Sequence, residues 1–364
     1  MDIIAQSDEN IPPWGLLHLE DCPRRHKKRA QIWENHVLQQ GQHLNEDENF
    51  LMPCDAANQK IRIGFISGDF HFKATIEGVL QNINKQKFEV YIFDYGKNPL
   101  QQNLKWLVDE PGYVDLSTAD DKDIPSIIKK QRLDVAIYLD GYTKNGKPHI
   151  FAQRLARAHV SFTYAATMGP RLMDYVIADK NVIPINMRNY YFESVVYLPH
   201  CFLPAPMRQN IEATFTRNDF DLPEYLTIMA NPSKANRISE KELFIWFKLL
   251  AKHKKLALML VCENDAARKN LIEIANEHKI DKSRLILAAR LGRNDHLARL
   301  QLCDFVVDTF NYNGHTTSYD ALNAGLPIVT MEGKQLASRV TGSMLRSLGH
   351  TDTIAMDLDE YMEI

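Results

Sequence analysis

Cysteine is scarce and scattered in this chain: Cys22, Cys54, Cys201, Cys262 and Cys303 are the only five in 364 residues, with no CxxC pair and no histidine at zinc-site spacing. That pattern offers neither a disulfide framework nor a structural metal, and it fits a reducing cytoplasm. Long hydrophobic runs are also missing. No stretch approaches the roughly 18 apolar residues that span a bilayer, and the opening MDIIAQSDENIPP has no basic region followed by an apolar one. Neither a membrane partner nor export is expected. Basic excess is absent too: a formal net charge of −3 leaves nothing to neutralise many phosphates, which argues against nucleic acid as a partner and leaves room only for a local basic pocket. The DxD at Asp357-Leu358-Asp359 lies away from any strand end, at an expected helix start, and no metal is expected. Short-period repeats and low-complexity tracts are not found.

What is present is a globular composition, 45% apolar and 24% charged, in a chain long enough for two ordinary domains. Residues 1–58 read as a polar N-terminal extension, helical from Pro23 to about Leu44 and without a compact core. Its basic run, Arg24, Arg25, His26, Lys27, Lys28 and Arg29, is either a solvated helix face or a site for an acidic partner. From residue 59 to 203 strands alternate with helix-length segments: Ile61–Ser67, Phe88–Tyr95, Leu133–Leu139, Val160–Tyr164, Asp174–Ala178 and Val195–Leu198. A proline-bearing linker, 204–224, follows. Residues 225–364 repeat the design with strands at Leu226–Ala230, Leu256–Val261, Arg284–Ala288, Phe305–Asp308 and Pro327–Thr330. A helix over Ser239–His253 opens with a Ser239/Glu242 capping box and carries Leu243, Phe244, Phe247, Leu250 and Ala251 at helical spacing. Apolar strands of this kind predict an α/β fold of two doubly wound, Rossmann-like domains facing across a cleft, each with a parallel sheet covered on both faces.

The chemistry concentrates at strand ends. In CDFVVDTFNYNGHTTSYDALNAGLP, Cys303 to Pro327, a strand runs into turn residues Asn311–Gly314 and then into a helix expected near Thr316. Such a turn leaves the amides of His315 to Ser318 without intrahelical partners at the positive end of the helix dipole, where a phosphate is stabilised. Asp320, one turn on, is in reach of a ligand's hydroxyls. The same pattern also occurs as plain α/β architecture. Lys234, in the Asn231-Pro232-Ser233-Lys234 loop after a strand, either neutralises a diphosphate or is a solvated surface residue. His296, at the start of a helix after Arg290-Leu291-Gly292-Arg293, is placed either to stack on a base or simply at the surface.

DTFNYNGHTTSYDALNAGLPIVTMEGKQLASRV resembles, nearly position by position, the signature of protein O-GlcNAc transferase and its bacterial relatives, glycosyltransferase family 41. NPSK, RNDHLARLQLCD, IRIGFISGDF, LDGYTK, LMDYVIAD and YLPHCF fall in that family's order, over about residues 10 to 364. The resemblance implies a GT-B fold with a UDP-sugar donor held mainly by the C-terminal domain. It implies Lys234 on the donor diphosphate with Asn231 of the same motif, His296 on the uracil with Arg293 near it, His315, Thr316 and Thr317 at the phosphate, and Asp320 on the ribose. No cofactor and no metal are implied, since UDP-GlcNAc or another UDP-sugar is a substrate.

Two turns depart from the family pattern. Ser67 to Ile76 reads SGDFHFKATI, so Lys73 stands where a histidine belongs, with His71 two positions early; a lysine is a poor general base unless its pKa is depressed, so Lys73 is read on phosphate or acceptor. A glycine-rich turn is replaced by Phe162 to Gly169, FTYAATMG, where Ala165 and Ala166 are expected to narrow the loop. The family's tetratricopeptide array is not in the sequence, and the family pattern continues into helices beyond Ile364. The expected activity is inverting transfer of a sugar, GlcNAc foremost, from UDP to Ser/Thr hydroxyls of a protein. A hexose-transferring N-glycosyltransferase and a UDP-binding protein without turnover remain as alternatives.

Overall fold

The computed structural model describes residues 12–41, 60–70, 74–97, 104–204 and 215–364. The chain divides into two compact units, one of Met1–Leu16 with Cys22–Met207 and the other of Leu17–Asp21 with Arg208–Ile364. Each holds one parallel sheet. In the first, strands β1 (Ile61–Ser67), β2 (Phe88–Asp94), β3 (Tyr113–Asp115), β4 (Leu133–Tyr138), β5 (Ala156–Ser161), β6 (Tyr175–Ala178) and β7 (Ser194–Tyr197) lie in the order 3-2-1-4-5-6-7. In the second, β8 (Thr227–Lys234), β9 (Leu256–Val261), β10 (Leu285–Ala288), β11 (Phe305–Val307), β12 (Ile328–Met331) and β13 (Ile354–Ala355) lie in the order 10-9-8-11-12-13. Both units are thus Rossmann-like, with the order reversing between their first and fourth strands.

Side-chain alternation along the strands of the second sheet explains why it is covered on both faces. Ile228, Ala230 and Met259 join Val306, Leu300 and Ile328 in one buried cluster, while Met229, Leu258 and Leu260 join Trp246, Phe247 and Leu250 in another. The second cluster is supplied by a helix over Glu240–Lys252, which does begin with the Ser239/Glu242 capping box. Its buried stripe is Leu243, Trp246, Phe247 and Leu250; Phe244 and Ala251, expected on that stripe, are exposed instead, because the 3.6-residue period carries them round to solvent.

Several expectations are corrected. The strand placed at Val160–Tyr164 is Ala156–Ser161, registered from Leu133↔Ala156 to Tyr138↔Ser161. Its polar start hid it: His159 is buried because its ring Nε2 accepts from the Leu155 amide and Nδ1 donates to the Leu172 carbonyl. The short strands β3 and β13 were not foreseen. Within the segment expected to lack a core, Pro23–Gly41 is a helix, α1, that buries His26, Ala30, Glu34, Val37 and Gly41 in the first unit. Its basic run is partly used there: Lys27 donates to the Asn189 carbonyl at 2.7 Å and lies over the Phe192 ring. The later part of the supposed linker belongs to the second unit, where Leu222 is buried and Arg217 binds the Leu302 and Leu226 carbonyls and Asp304.

Candidate active site

In the second unit the order reversal sets the carboxyl ends of β8 and β11 side by side, the position where open α/β sheets bind ligands. β8 runs through the whole NPSK motif rather than stopping before it, with a register shift between Asn231 and Lys234. Asn231 is fully buried, and its side-chain amide donates to the Val307 carbonyl at 2.6 Å while its oxygen takes the Ser233 amide at 3.2 Å. The asparagine therefore ties the two strand ends together. Lys234 follows at the strand's end and is exposed; among the described residues its ammonium has no ion-pair partner.

The loop after β11 is organised by Asp308, which sequence reasoning treated only as a strand end. Its carboxylate accepts from the amides of Thr309 (2.9 Å) and Gly314 (2.7 Å) and from the Thr330 hydroxyl (2.9 Å). Burial pushes its pKa up to about 6, against those hydrogen bonds. Glu242 adds a second anchor: besides capping its own helix it accepts the Phe310 amide at 2.7 Å. An acid at a strand's end, six residues before a glycine, was the available signal for Asp308; nothing local announces that Glu242 also reaches Phe310.

The loop delivers helix α2 (Thr316–Asn323), with His315 at its N-cap. Helix geometry leaves the first-turn amides without intrahelical acceptors. Gly314 permits this approach, since a Cβ there would stand 2.2 Å from Ser318 Oγ and 2.8 Å from Thr317 Oγ1. Thr316 is exposed, and Thr317 Oγ1 is buried with no hydrogen-bond partner among the described residues. The His315 ring stacks on Tyr312, centroids 4.7 Å apart, and the Arg237 guanidinium covers the Tyr312 ring at 4.1 Å.

Arg293 and His296 open the helix over Arg293–Gln301, one turn apart. Arg293 reaches across to Asp320, Nη2 to Oδ1 at 2.9 Å, so two residues assigned separately from sequence form one ion pair. Burial raises the Asp320 pKa and Arg293 opposes this. Arg299 donates to His296 Nδ1 at 3.2 Å, which puts the ring proton on Nε2. Burial and then Arg299, Arg293 and Arg290 lower the His296 pKa to about 4, so the ring is neutral and suited to lie against an uncharged base.

In the first unit the corresponding reversal, between β1 and β4, is built on Asp140. Its buried carboxylate accepts from Ser67 Oγ (2.5 Å), the Gly68 amide (2.7 Å) and Tyr95 Oη (2.6 Å). Asp140 was quoted from sequence only inside LDGYTK; its place at a central strand's end was the missed signal. The altered turn, Tyr164 to Gly169, is wholly buried, with Ala165 and Ala166 2% and 4% exposed. Two carboxylates fix it. Glu193 accepts from Thr167 Oγ1 and the Met168 amide, both at 2.6 Å, and burial raises its pKa. Glu34 of α1 takes the Arg171 amide at 2.7 Å and lies where any side chain at residue 169 would go. Lys73 and His71 lie outside the described residues.

A family model described as Glycosyl transferase family 41 matches residues 17–212 and 204–364. Among curated proteins, the chain is similar to a probable UDP-N-acetylglucosamine-peptide N-acetylglucosaminyltransferase SEC of Arabidopsis thaliana, 28% identical over 324 residues, covering 84% of this chain and 32% of that protein. It is also similar to a UDP-N-acetylglucosamine-peptide N-acetylglucosaminyltransferase of Caenorhabditis elegans, 23% identical, covering 84% of this chain and 37% of that protein. The chain thus spans about a third of the length of these relatives. Among solved structures, a mutant O-GlcNAc transferase of Thermobaculum terrenum superposes with a TM-score of 0.84 at 23% identity, covering 96% of this chain and 66% of that one. At that identity the likeness speaks to fold, and it agrees with two Rossmann-like units of the GT-B class.

Proposed function

We propose, from the premise that the chain belongs to glycosyl transferase family 41, that it is an inverting transferase moving N-acetylglucosamine from UDP to a Ser or Thr hydroxyl of a protein acceptor. The observation that carries this reading is the start of helix α2 at the sheet's order reversal, with Gly314 leaving its first turn open and Thr317 Oγ1 buried without a hydrogen-bond partner among the described residues. Displacement at an anomeric carbon depends chiefly on stabilising the departing diphosphate. The amides of Thr316 to Ser318 would hold that charge by the helix dipole and direct hydrogen bonds, with Lys234 neutralising what develops as UDP leaves. Neutral His296 would lie on the uracil, and Asp320, oriented by Arg293, would take the ribose hydroxyls. In this scheme the leaving group needs no divalent cation, so turnover should survive EDTA.

No helix among the described residues is long and apolar enough to cross a membrane. From the scattered cysteines we propose a reducing cytoplasm as its compartment. The deciding experiment incubates the purified protein with UDP-N-acetylglucosamine and a cell lysate and reads acceptors by mass spectrometry. An N-acetylhexosamine mass on Ser or Thr is expected. A hexose on asparagine, or UDP binding with no modified product, would overturn the reading.

A further inference from the structure

Asp21 and Gln335 have no role in the reading above. Asp21 belongs to the short segment Leu17–Asp21 of the second unit. Its carboxylate accepts from the amides of Lys334 (2.6 Å) and Gln335 (2.8 Å) and from Ser338 Oγ (3.0 Å). The seat exists because residue 333 is glycine: a Cβ there would stand 2.6 Å from Asp21 Oδ2 and 2.2 Å from Ser338 Oγ. The turn held in this way presents Gln335, 3% exposed, whose Nε2 donates to the carbonyls of Asn311 (2.7 Å) and Leu17 (2.8 Å). Asn311 in turn donates to the His18 carbonyl at 3.1 Å, and the Ala337 carbonyl takes the Asn313 amide at 2.8 Å. Asn311 to Asn313 is the middle of the loop whose far end delivers the amides of helix α2. Asp308 grips that loop from within the sheet; this second set of bonds grips it from outside.

We propose that Asp21 and Gln335 are positioning residues for the phosphate-binding helix start, so that Leu17–Asp21, remote in sequence, is part of the nucleotide site's framework. The inference rests on the UDP-sugar reading of that site. Removing the Asp21 carboxylate leaves two amides without their acceptor and the Ser338 hydroxyl with only the Gln335 carbonyl at 2.9 Å, and a turn in that condition shifts to find other partners. Gln335 shifts with it and releases the Asn311 carbonyl.

The test uses the full chain with Asp21→Ala, Asp21→Asn and Gln335→Met, read by amide hydrogen exchange and by calorimetry with UDP. For Asp21→Ala, faster exchange is expected across residues 309–318, with UDP binding roughly tenfold weaker at unchanged stoichiometry. Asp21→Asn, which keeps one acceptor oxygen, should fall between it and the parent. Faster exchange confined to residues 333–338 with an unchanged Kd would overturn the proposal. So would a reduced stoichiometry at unchanged Kd, which marks a residue that only stabilises the fold. Should the parent bind no UDP, the functional reading fails, and the exchange pattern alone still decides whether the two residues hold the loop. If Asp21→Ala does not fold, Asp21→Asn and Gln335→Met carry the same comparison.

Discussion

Replacing Gly314 by alanine tests whether the helix start binds phosphate. The added Cβ would lie 2.2 Å from Ser318 Oγ, 2.8 Å from Thr317 Oγ1 and 3.1 Å from the Ser318 amide nitrogen. Ser318 cannot simply rotate away, because its hydroxyl is bonded to Thr341 Oγ1 at 2.8 Å, and Thr341 is bonded back to the Gly314 carbonyl at 3.0 Å. Relief therefore requires the helix start and the loop to part by about 1 Å. Overpacking of this kind costs about 1–3 kcal/mol of stability, while displacing a binding group by about 1 Å costs on the order of a hundredfold in function. The variant should thus remain folded, with a lowered melting temperature, and lose most UDP affinity by calorimetry. Gly292→Ala is the control, since a Cβ at that position meets nothing within 4 Å. UDP affinity unchanged in Gly314→Ala would refute the assignment of the helix start to the diphosphate.

Three further outcomes are expected. Lys234→Ala should lower UDP-sugar turnover roughly a hundredfold or more with the melting temperature unchanged, because the side chain is exposed; near-normal turnover removes it from the mechanism. Asp320→Asn breaks the 2.9 Å pair with Arg293 and should weaken binding of UDP far more than binding of a 2′,3′-dideoxy analogue, and equal losses would show that the carboxylate does not meet the ribose. His159, 1% exposed and flanked by Arg154 and Asp174, has its pKa lowered to about 4 from 6.5, first by burial and then by Arg154. Folding favours the neutral ring, so this contribution is complete above pH 6.5 and is lost as pH falls towards 4, at most about 3 kcal/mol in all. Denaturant titrations at pH 7 and pH 5 should show that loss, and a His159→Gln variant should flatten it; an equal slope in both proteins would place the effect elsewhere.

Local chemistry is readable from the chain itself. The apolar runs of β1, β4, β9 and β11, the Ser239/Glu242 cap, the helix starting at Thr316 and the Asp357 N-cap are set by neighbouring residues, so their sequence signals survive unaltered. The motifs proposed for the donor were legible for the same reason, because NPSK, RNDH and NGHTTSYD are each contiguous. Lys234, His296 and Thr317 could be singled out as candidates before their surroundings were known.

Strand order and the partners of buried charges are decided only in three dimensions. No local pattern dictates that β8 lies beside β11, yet that adjacency makes Asn231 a bridge to Val307 rather than a loop residue. Glu34 meets Arg171 from 137 positions away, and Asp21 meets Lys334 from 313. Nothing in the neighbouring sequence marks either acid as buried, since an isolated carboxylate is stable only in water. Folding brings amides and a hydroxyl or guanidinium to each, and those donors replace the water that burial removes.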